Sequence, residues 1–168
     1  DYLNGVYIRQ KSLGELLDLA LPYLQQAGLI KEEKPDAEKI KQIISLYRER
    51  LKKLSDLPEL VEFFFKKKMD YSKEMLIWKG MGEQELKASL NTLEQTLSAI
   101  EEKDFNKENL EKTLMKKAEE TGDRGKLLWP LRVALTGQRA SAGPFEVAAV
   151  LGKEETLNRI KQAELIAQ

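Results

Sequence analysis

Arg132 is the residue whose type and position most clearly suggest chemistry. It lies at helical spacing from Leu128 and Leu135 in a mainly apolar stretch, so its guanidinium must extend beyond an apolar surface or meet an anionic or planar partner. Carboxylates and nucleic acids are partners of that kind. The stretch ends at Thr136-Gly137, as a glycine C-cap ends a helix. The sequence therefore predicts an arginine held beside the polar loop that follows.

Other kinds of chemistry lack the residues they need. The sequence has no cysteine and no histidine, which removes disulfides, zinc-thiolate sites and nucleophile-imidazole pairs. It has no glycine-rich phosphate loop and no metal-ligand pattern. Adjacent carboxylates such as Glu101 and Glu102 diverge on a helix and cannot act as an acid-base pair. We therefore predict no catalytic, cofactor-binding or metal-ligating residue in this sequence.

Length and composition indicate a compact soluble domain. The 168 residues are 42% hydrophobic, and no apolar run approaches the roughly 20 residues that span a bilayer. The 28 basic and 28 acidic residues cancel, so a nucleic-acid site would have to be a local patch. We expect no membrane association and a cytoplasmic location, and the opening at Asp1 instead of methionine indicates a fragment.

Helical signals recur along the whole chain. A capping box at Ser12 to Glu15 begins a helix that Pro22 should kink or end early. Apolar residues from Ile40 to Leu54 recur at three- and four-residue steps, which predicts one helix with Arg50 towards its end. No strand-like alternation of useful length is present. The predicted fold is all-α.

The predicted all-α fold consists of two packed helical-bundle subdomains. Gly80 and Gly82 mark the clearest boundary. We therefore expect a remnant of the connection to a preceding domain at 1–11, a first helical subdomain at 12–80 and a second at 81–168. The second would carry Arg132 and its loop.

Several segments in the expected order give the sequence its family resemblance. Residues 130–137 (PLRVALTG), 143–146 (GPFE) and 151–154 (LGKE) with Arg159-Ile160 resemble the C-terminal anticodon-binding domain of bacterial glutamyl-tRNA synthetase, a class I aminoacyl-tRNA synthetase. Asn4-Gly5 is similar to the family's segment after its stem-contact domain. The resemblance spans nearly the whole chain.

The resemblance implies tRNA(Glu) as the partner and a set of anticodon contacts. In the family, the arginine at 132 and the following loop face the anticodon, where unstacked bases offer edges and planes to side chains. Arg50 falls where the family places the residue that meets the third anticodon base. Trp129 could stack on a base, although packing beside Leu128 is the more frequent role for a helical tryptophan. The implied anticodon-binding residues are Arg50, Arg132, Gln138, Arg139, Ser141, Gly143, Pro144 and Phe145.

The same resemblance implies that the chemistry lies elsewhere. The family's ATP-binding signatures belong to an upstream catalytic domain, so ATP and Mg²⁺ are expected there, and this fragment alone should not be an enzyme. The parent would be a glutamate-tRNA ligase, and we expect a monomer. Composition alone leaves an alternative open, because amphipathic helices with balanced charge could form a helical-bundle protein-interaction module without RNA binding.

Overall fold

The computed structural model describes residues 2–168, with side chains from Asn4 onward. The chain divides into two compact units, Asp1–Lys66 and Lys67–Gln168. All regular structure in residues 2–168 is helical, without a strand, so the all-α prediction is confirmed. No helix in this described range combines the length and apolar character needed to cross a membrane.

Over residues 2–66, the described part of the first unit, the chain forms four α-helices and two short 3₁₀ turns. Ser12 begins the second helix as predicted, since its hydroxyl accepts from the Glu15 backbone N–H at 3.2 Å and the Glu15 carboxylate accepts from the Ser12 N–H at 2.8 Å. The helices are α1 (Tyr2–Gln10), α2 (Leu13–Gln26), α3 (Ala37–Tyr47) and α4 (Leu57–Val61), and the 3₁₀ turns are Leu54–Asp56 and Glu62–Phe65.

Helix α2 continues through Pro22 to Gln26, so the predicted early stop is wrong. A proline inside a helix leaves one carbonyl without its intrahelical donor, here the carbonyl of Asp18. Both Asp18 and Pro22 are exposed, so water can satisfy that carbonyl. Leu24, beyond the proline, is buried, and its burial stabilises the last turn of the helix.

Helix α3 ends at Tyr47, earlier than the apolar pattern predicted. The next three residues form a turn, and the 3₁₀ segment around Leu54 follows. Tyr47 and Leu51 are each 1% exposed, so the apolar positions continue into the core although the helix does not. Arg50 therefore lies in a turn after the helix, and its predicted place near a helix end is corrected.

The second unit surrounds one central helix. That helix, α8, lies against α5, α6, α7, α9 and α10, and its buried residues include Leu127, Leu131 and Leu135. The helices are α5 (Lys73–Leu76), α6 (Glu83–Ser98), α7 (Lys107–Glu120), α8 (Gly125–Thr136), α9 (Pro144–Leu151) and α10 (Lys153–Ile166), with a 3₁₀ turn at Glu102–Asp104.

The two units divide at residue 66, before the boundary predicted at residues 80 and 81. The segment 67–80 belongs to the second unit because its backbone forms hydrogen bonds with Gln162 of α10 and its side chains pack in that unit. The Gln162 amide donates to the Lys67 carbonyl at 3.1 Å and accepts from the Met69 N–H at 2.8 Å, and Leu76 is buried. Gly80 thus lies in a turn within this unit, and Gly82 is the N-cap residue of α6.

The N-terminal segment contributes to the first unit. Within predicted remnant 1–11, residues Tyr2–Gln10 form α1, and Ile8 is 2% exposed. Asp1 lies outside the described residues. The role of this segment as a connection to a preceding domain stays a prediction.

Candidate nucleic-acid interface

Arg132 joins the central helix to the loop that follows it. One guanidinium nitrogen donates to the Ser141 hydroxyl at 2.9 Å, to the Ser141 carbonyl at 3.1 Å and to the Ala142 carbonyl at 3.4 Å. Ser141 is buried, and Arg132 is half-buried. The sequence predicted that this guanidinium extends beyond the apolar surface or meets an anionic or planar partner, and the structure gives it oxygen acceptors of its own chain. Residues 137–143 are named the 137–143 loop below.

The start of the 137–143 loop is fixed by a C-cap. Gly137 has φ of 64°, a left-handed conformation that favours glycine, and its N–H donates to the Val133 carbonyl at 2.7 Å. The Thr136 hydroxyl donates to the Arg132 carbonyl at 2.8 Å and accepts from the Gln138 N–H at 3.1 Å. The predicted glycine end of this helix is confirmed.

Between these two attachments, the loop presents a short polar surface. Arg139 and Ala140 are exposed, and Gln138 is half-exposed. The Gln138 amide offers a donor and an acceptor, and the Arg139 guanidinium offers donors, which are the groups that base edges require. Arg139 is thus the predicted loop contact that is exposed, and Gln138 is the partly exposed residue beside it.

The other predicted loop residues have a different place. Ser141 and Pro144 are buried, whereas Gly143 and Phe145 are half-buried. Pro144 opens α9 in the first helical turn, where a proline needs no N–H partner. Ser141 and Pro144 therefore shape the loop from within, and their predicted direct contact with bases stays a prediction.

Trp129 has packing partners within the second unit. Its indole N–H donates to the Met75 carbonyl at 2.9 Å, and its ring lies 5.4 Å from that of Trp78 at an angle of 43°. The indole of Trp78 in turn donates to Asp123 at 2.9 Å. One side of the Trp129 ring is therefore already covered, which favours the packing role over base stacking.

Arg50 belongs to the first unit, on an anchored turn. Its side chain is exposed, and its backbone N–H donates to the Tyr47 carbonyl at 2.8 Å. Just before it, the Arg48 guanidinium donates to the carbonyl of Arg9 and, at 2.6 Å, to that of Lys11. The turn that carries Arg50 is thus anchored on its N-terminal side.

Sequence reasoning gave no role to Arg159, which is fully buried at 0% exposure. Its Nε lies 2.9 Å from a Glu155 carboxylate oxygen, and another guanidinium nitrogen donates to the Leu135 carbonyl at 2.6 Å. The sequence did contain an indication of this burial, because Arg159 lies at helical spacing on the same face as Thr156 and Ile160. Both of those residues are buried.

Tyr71 lies close to this buried guanidinium. Burial raises the pKa of the Tyr71 hydroxyl, and the positive charge of Arg159 opposes that rise. A Cβ added to Gly137 would lie 3.5 Å from a Tyr71 ring carbon and 3.4 Å from the Met69 methyl. The start of the 137–143 loop therefore rests directly on the segment that contains Met69 and Tyr71.

Residues 15–164 match the family described as the anticodon binding domain. The chain belongs to the anticodon-binding domain family. This anticodon-binding domain is similar to the glutamate–tRNA ligase of Clostridium acetobutylicum, with 38% identity over 163 residues that cover 95% of the domain and 32% of that protein. The glutamate–tRNA ligase of Roseiflexus castenholzii is 37% identical over 164 residues, 96% of the domain and 32% of that protein.

A solved structure is similar to the anticodon-binding domain in fold. It is a glutamate tRNA ligase from Elizabethkingia meningosepticum in complex with its amino acid, with a TM-score of 0.79 and 26% identity over 98% of the domain and 31% of that chain. The anticodon-binding domain therefore spans about a third of the length of the relatives it matches.

Proposed function

We propose that the chain is the anticodon-recognition module of a glutamate-tRNA ligase and binds the anticodon stem and loop of tRNA(Glu). Membership of the anticodon-binding family carries the proposal, and the names of the relatives indicate the amino acid. The helical-bundle protein-interaction alternative has no observation in its favour. The parent protein would join glutamate to the tRNA in an ATP-dependent reaction.

The 137–143 loop is the proposed site of base contact in the second unit. Exposed Arg139 and half-exposed Gln138 lie between two anchored ends of the loop. A loop with a fixed backbone loses little conformational entropy on binding, so its outward side chains can read base edges at low cost. Arg132 would act mainly through the loop it holds, and Trp129 mainly through packing.

Arg50 is the proposed contact to the third anticodon base. Glutamate and glutamine tRNAs differ there, with cytosine in the first and guanine in the second. Arginine is a donor only, and cytosine offers O2 and N3 as acceptors. Guanine presents N1–H and N2–H donors where cytosine presents N3 and O2, so its size and an arginine donor left without a partner at that edge in a desolvated site would disfavour it.

The rest of the parent protein would supply the chemistry. We assign ATP and Mg²⁺ to a catalytic domain outside these 168 residues, because activation of glutamate needs both and the sequence here contains no nucleotide-binding motif. We also propose that the parent works as a cytoplasmic monomer, in which this domain docks against the catalytic domain of the same chain.

A binding titration tests the proposed function. The chain would be titrated with a labelled RNA stem-loop that carries the glutamate anticodon, at two salt concentrations. Binding should weaken as salt rises, because the protein releases counterions from each phosphate it contacts. The control is the same stem closed by a loop without the anticodon, and equal affinity for the two RNAs would contradict the proposal.

A further inference from the structure

The end of helix α8 determines where the 137–143 loop begins. The last carbonyls of a helix have no intrahelical donors and need other partners. The Val133 carbonyl still accepts from the Gly137 N–H four residues further on, in the helical pattern. The Leu135 carbonyl instead accepts from the Arg159 guanidinium at 2.6 Å. Arg159 therefore supplies a donor at the helix end from a different helix.

The charge of Arg159 suits this position. The C-terminus of a helix carries a partial negative charge that a nearby cation stabilises. Arg159 is completely buried, and a buried charge is costly unless it is paired and hydrogen-bonded. Glu155 pairs with it through an oxygen 2.9 Å from Nε. The guanidinium is thus held in one orientation by a carboxylate on its own helix and a carbonyl on another.

The contacts around Arg159 reach the loop itself. Tyr71 lies within electrostatic reach of Arg159, and its ring approaches Gly137, the first residue of the loop. A shift of Arg159 would therefore disturb the helix end and the aromatic support beneath Gly137 together. At the far end, Arg132 holds Ser141 independently. Half-exposed Gln138 and exposed Arg139 lie between these two attachments.

We propose that Arg159 is a positioning residue for RNA recognition, which sets the 137–143 loop by holding the Leu135 carbonyl. This inference rests on the proposed function, since it assigns the loop to base contact. Arg159 does not touch RNA in this account. It acts through Leu135 and Gly137 on the side chains of the loop.

The first test measures the loop without RNA. Amide hydrogen exchange would be compared for the chain and for Arg159→Met, which keeps a long apolar side chain without the donors. Exchange at Gln138 should rise relative to exchange at Asn109, whose amide is capped by Asn106 at 3.1 Å in the same unit. Equal increases at both amides, or none at Gln138, would overturn the inference.

Two further variants separate positioning from loss of charge or of general stability. Arg159→Lys retains a cation and donors, so exchange at Gln138 should return towards that of the unaltered chain. Arg124→Met removes an exposed arginine that pairs with Glu119 at 2.7 Å near the other end of α8. It should leave exchange at Gln138 unchanged, and a rise as large as that in Arg159→Met would count against a specific role for Arg159.

The second test measures discrimination between RNAs. The affinity ratio between the stem-loop with the glutamate anticodon and the stem-loop without it should fall roughly tenfold in Arg159→Met. This ratio does not depend on the fraction of folded protein, because unfolded chains reduce both apparent affinities equally. A preserved ratio would overturn the inference. The unaltered chain could bind both stem-loops equally while exchange at Gln138 still rises in Arg159→Met. In that case the proposed function fails, and the positioning of the loop by Arg159 stands.

Discussion

One guanidinium nitrogen of Arg132 donates to both the hydroxyl and the carbonyl oxygen of Ser141, nine residues further along the chain. The side chain therefore spans the loop that it precedes. A residue on the edge of an apolar helix can thus serve recognition by fixing the backbone of the loop that carries Gln138 and Arg139. Its effect on RNA would then extend to every base that the loop contacts.

Arg132→Ala should weaken binding of glutamate and glutamine tRNAs alike, because it loosens the whole loop. Glu154→Gln, which changes an exposed side chain of α10, is the control and should leave binding of both tRNAs unchanged.

Ser141→Ala removes the hydroxyl that accepts from Arg132. A double-mutant cycle on the free energy of unfolding should give a coupling of about 0.5–3 kcal/mol between the two positions. Additive effects would mean that the hydrogen bond contributes nothing to stability.

Arg50→Gln in the full-length protein should narrow the preference for the cytosine-ending anticodon by about 1–3 kcal/mol, the usual contribution of one good base contact. Aminoacylation of glutamate and glutamine tRNAs by both proteins measures this preference. Lys52→Gln removes a neighbouring exposed cation and should weaken both reactions equally. An unchanged ratio in Arg50→Gln would make Arg50 an ordinary surface residue.

Gly125→Ala should destabilise the second unit, because an added Cβ would fall on the indole ring of Trp78. Overpacking of this kind costs about 1–3 kcal/mol. The matched control is Gly14→Ala in α2, where the nearest atom to an added Cβ is 3.9 Å away. Alanine favours the helix there, so the control should stabilise by about 0.5–1 kcal/mol. Urea unfolding of both variants checks the opposite signs.

Glu164→Gln should stabilise the chain at neutral pH. Burial and the nearby Glu94 carboxylate raise the pKa of Glu164, although Lys161 opposes the rise. The folded state therefore disfavours the ionised carboxylate, a penalty that is present at pH 7 and disappears as pH falls below the ordinary pKa of about 4.5. The gain measured by urea unfolding should accordingly shrink in acid. An equal gain in the free energy of unfolding at pH 7 and in acid would mean that ionisation of Glu164 does not cause the gain.

The sequence predicted helix ends set by neighbouring residues better than it predicted features set by long-range contacts. The Ser12 capping box and the Gly137 C-cap depend on residues close in sequence, and both are present. The end of α3 and the boundary at residue 66 depend on burial against distant parts of each unit, which apolar spacing alone does not specify. The same limit applied to Pro22, where surrounding packing stabilised a helix that local chemistry disfavours.

Arg48 and Arg159, two arginines outside the predicted site, show why side-chain patterns were insufficient. Arg48 binds carbonyls 39 and 37 residues away, and Arg159 binds one 24 residues away. Every residue has a backbone carbonyl, so the acceptor leaves no mark in the sequence. Arg132 was found because the loop it holds follows within ten residues and carries a recognisable glycine.

The Trp78–Trp129 contact gives the second unit its own optical signal. These are the only two tryptophans in the sequence, and their rings lie 5.4 Å apart. Selective tryptophan fluorescence therefore reports unfolding of this unit alone, whereas far-ultraviolet circular dichroism reports helices in both. If the two signals change at the same urea concentration, the units unfold together, and if dichroism changes first, the unit without tryptophan unfolds first.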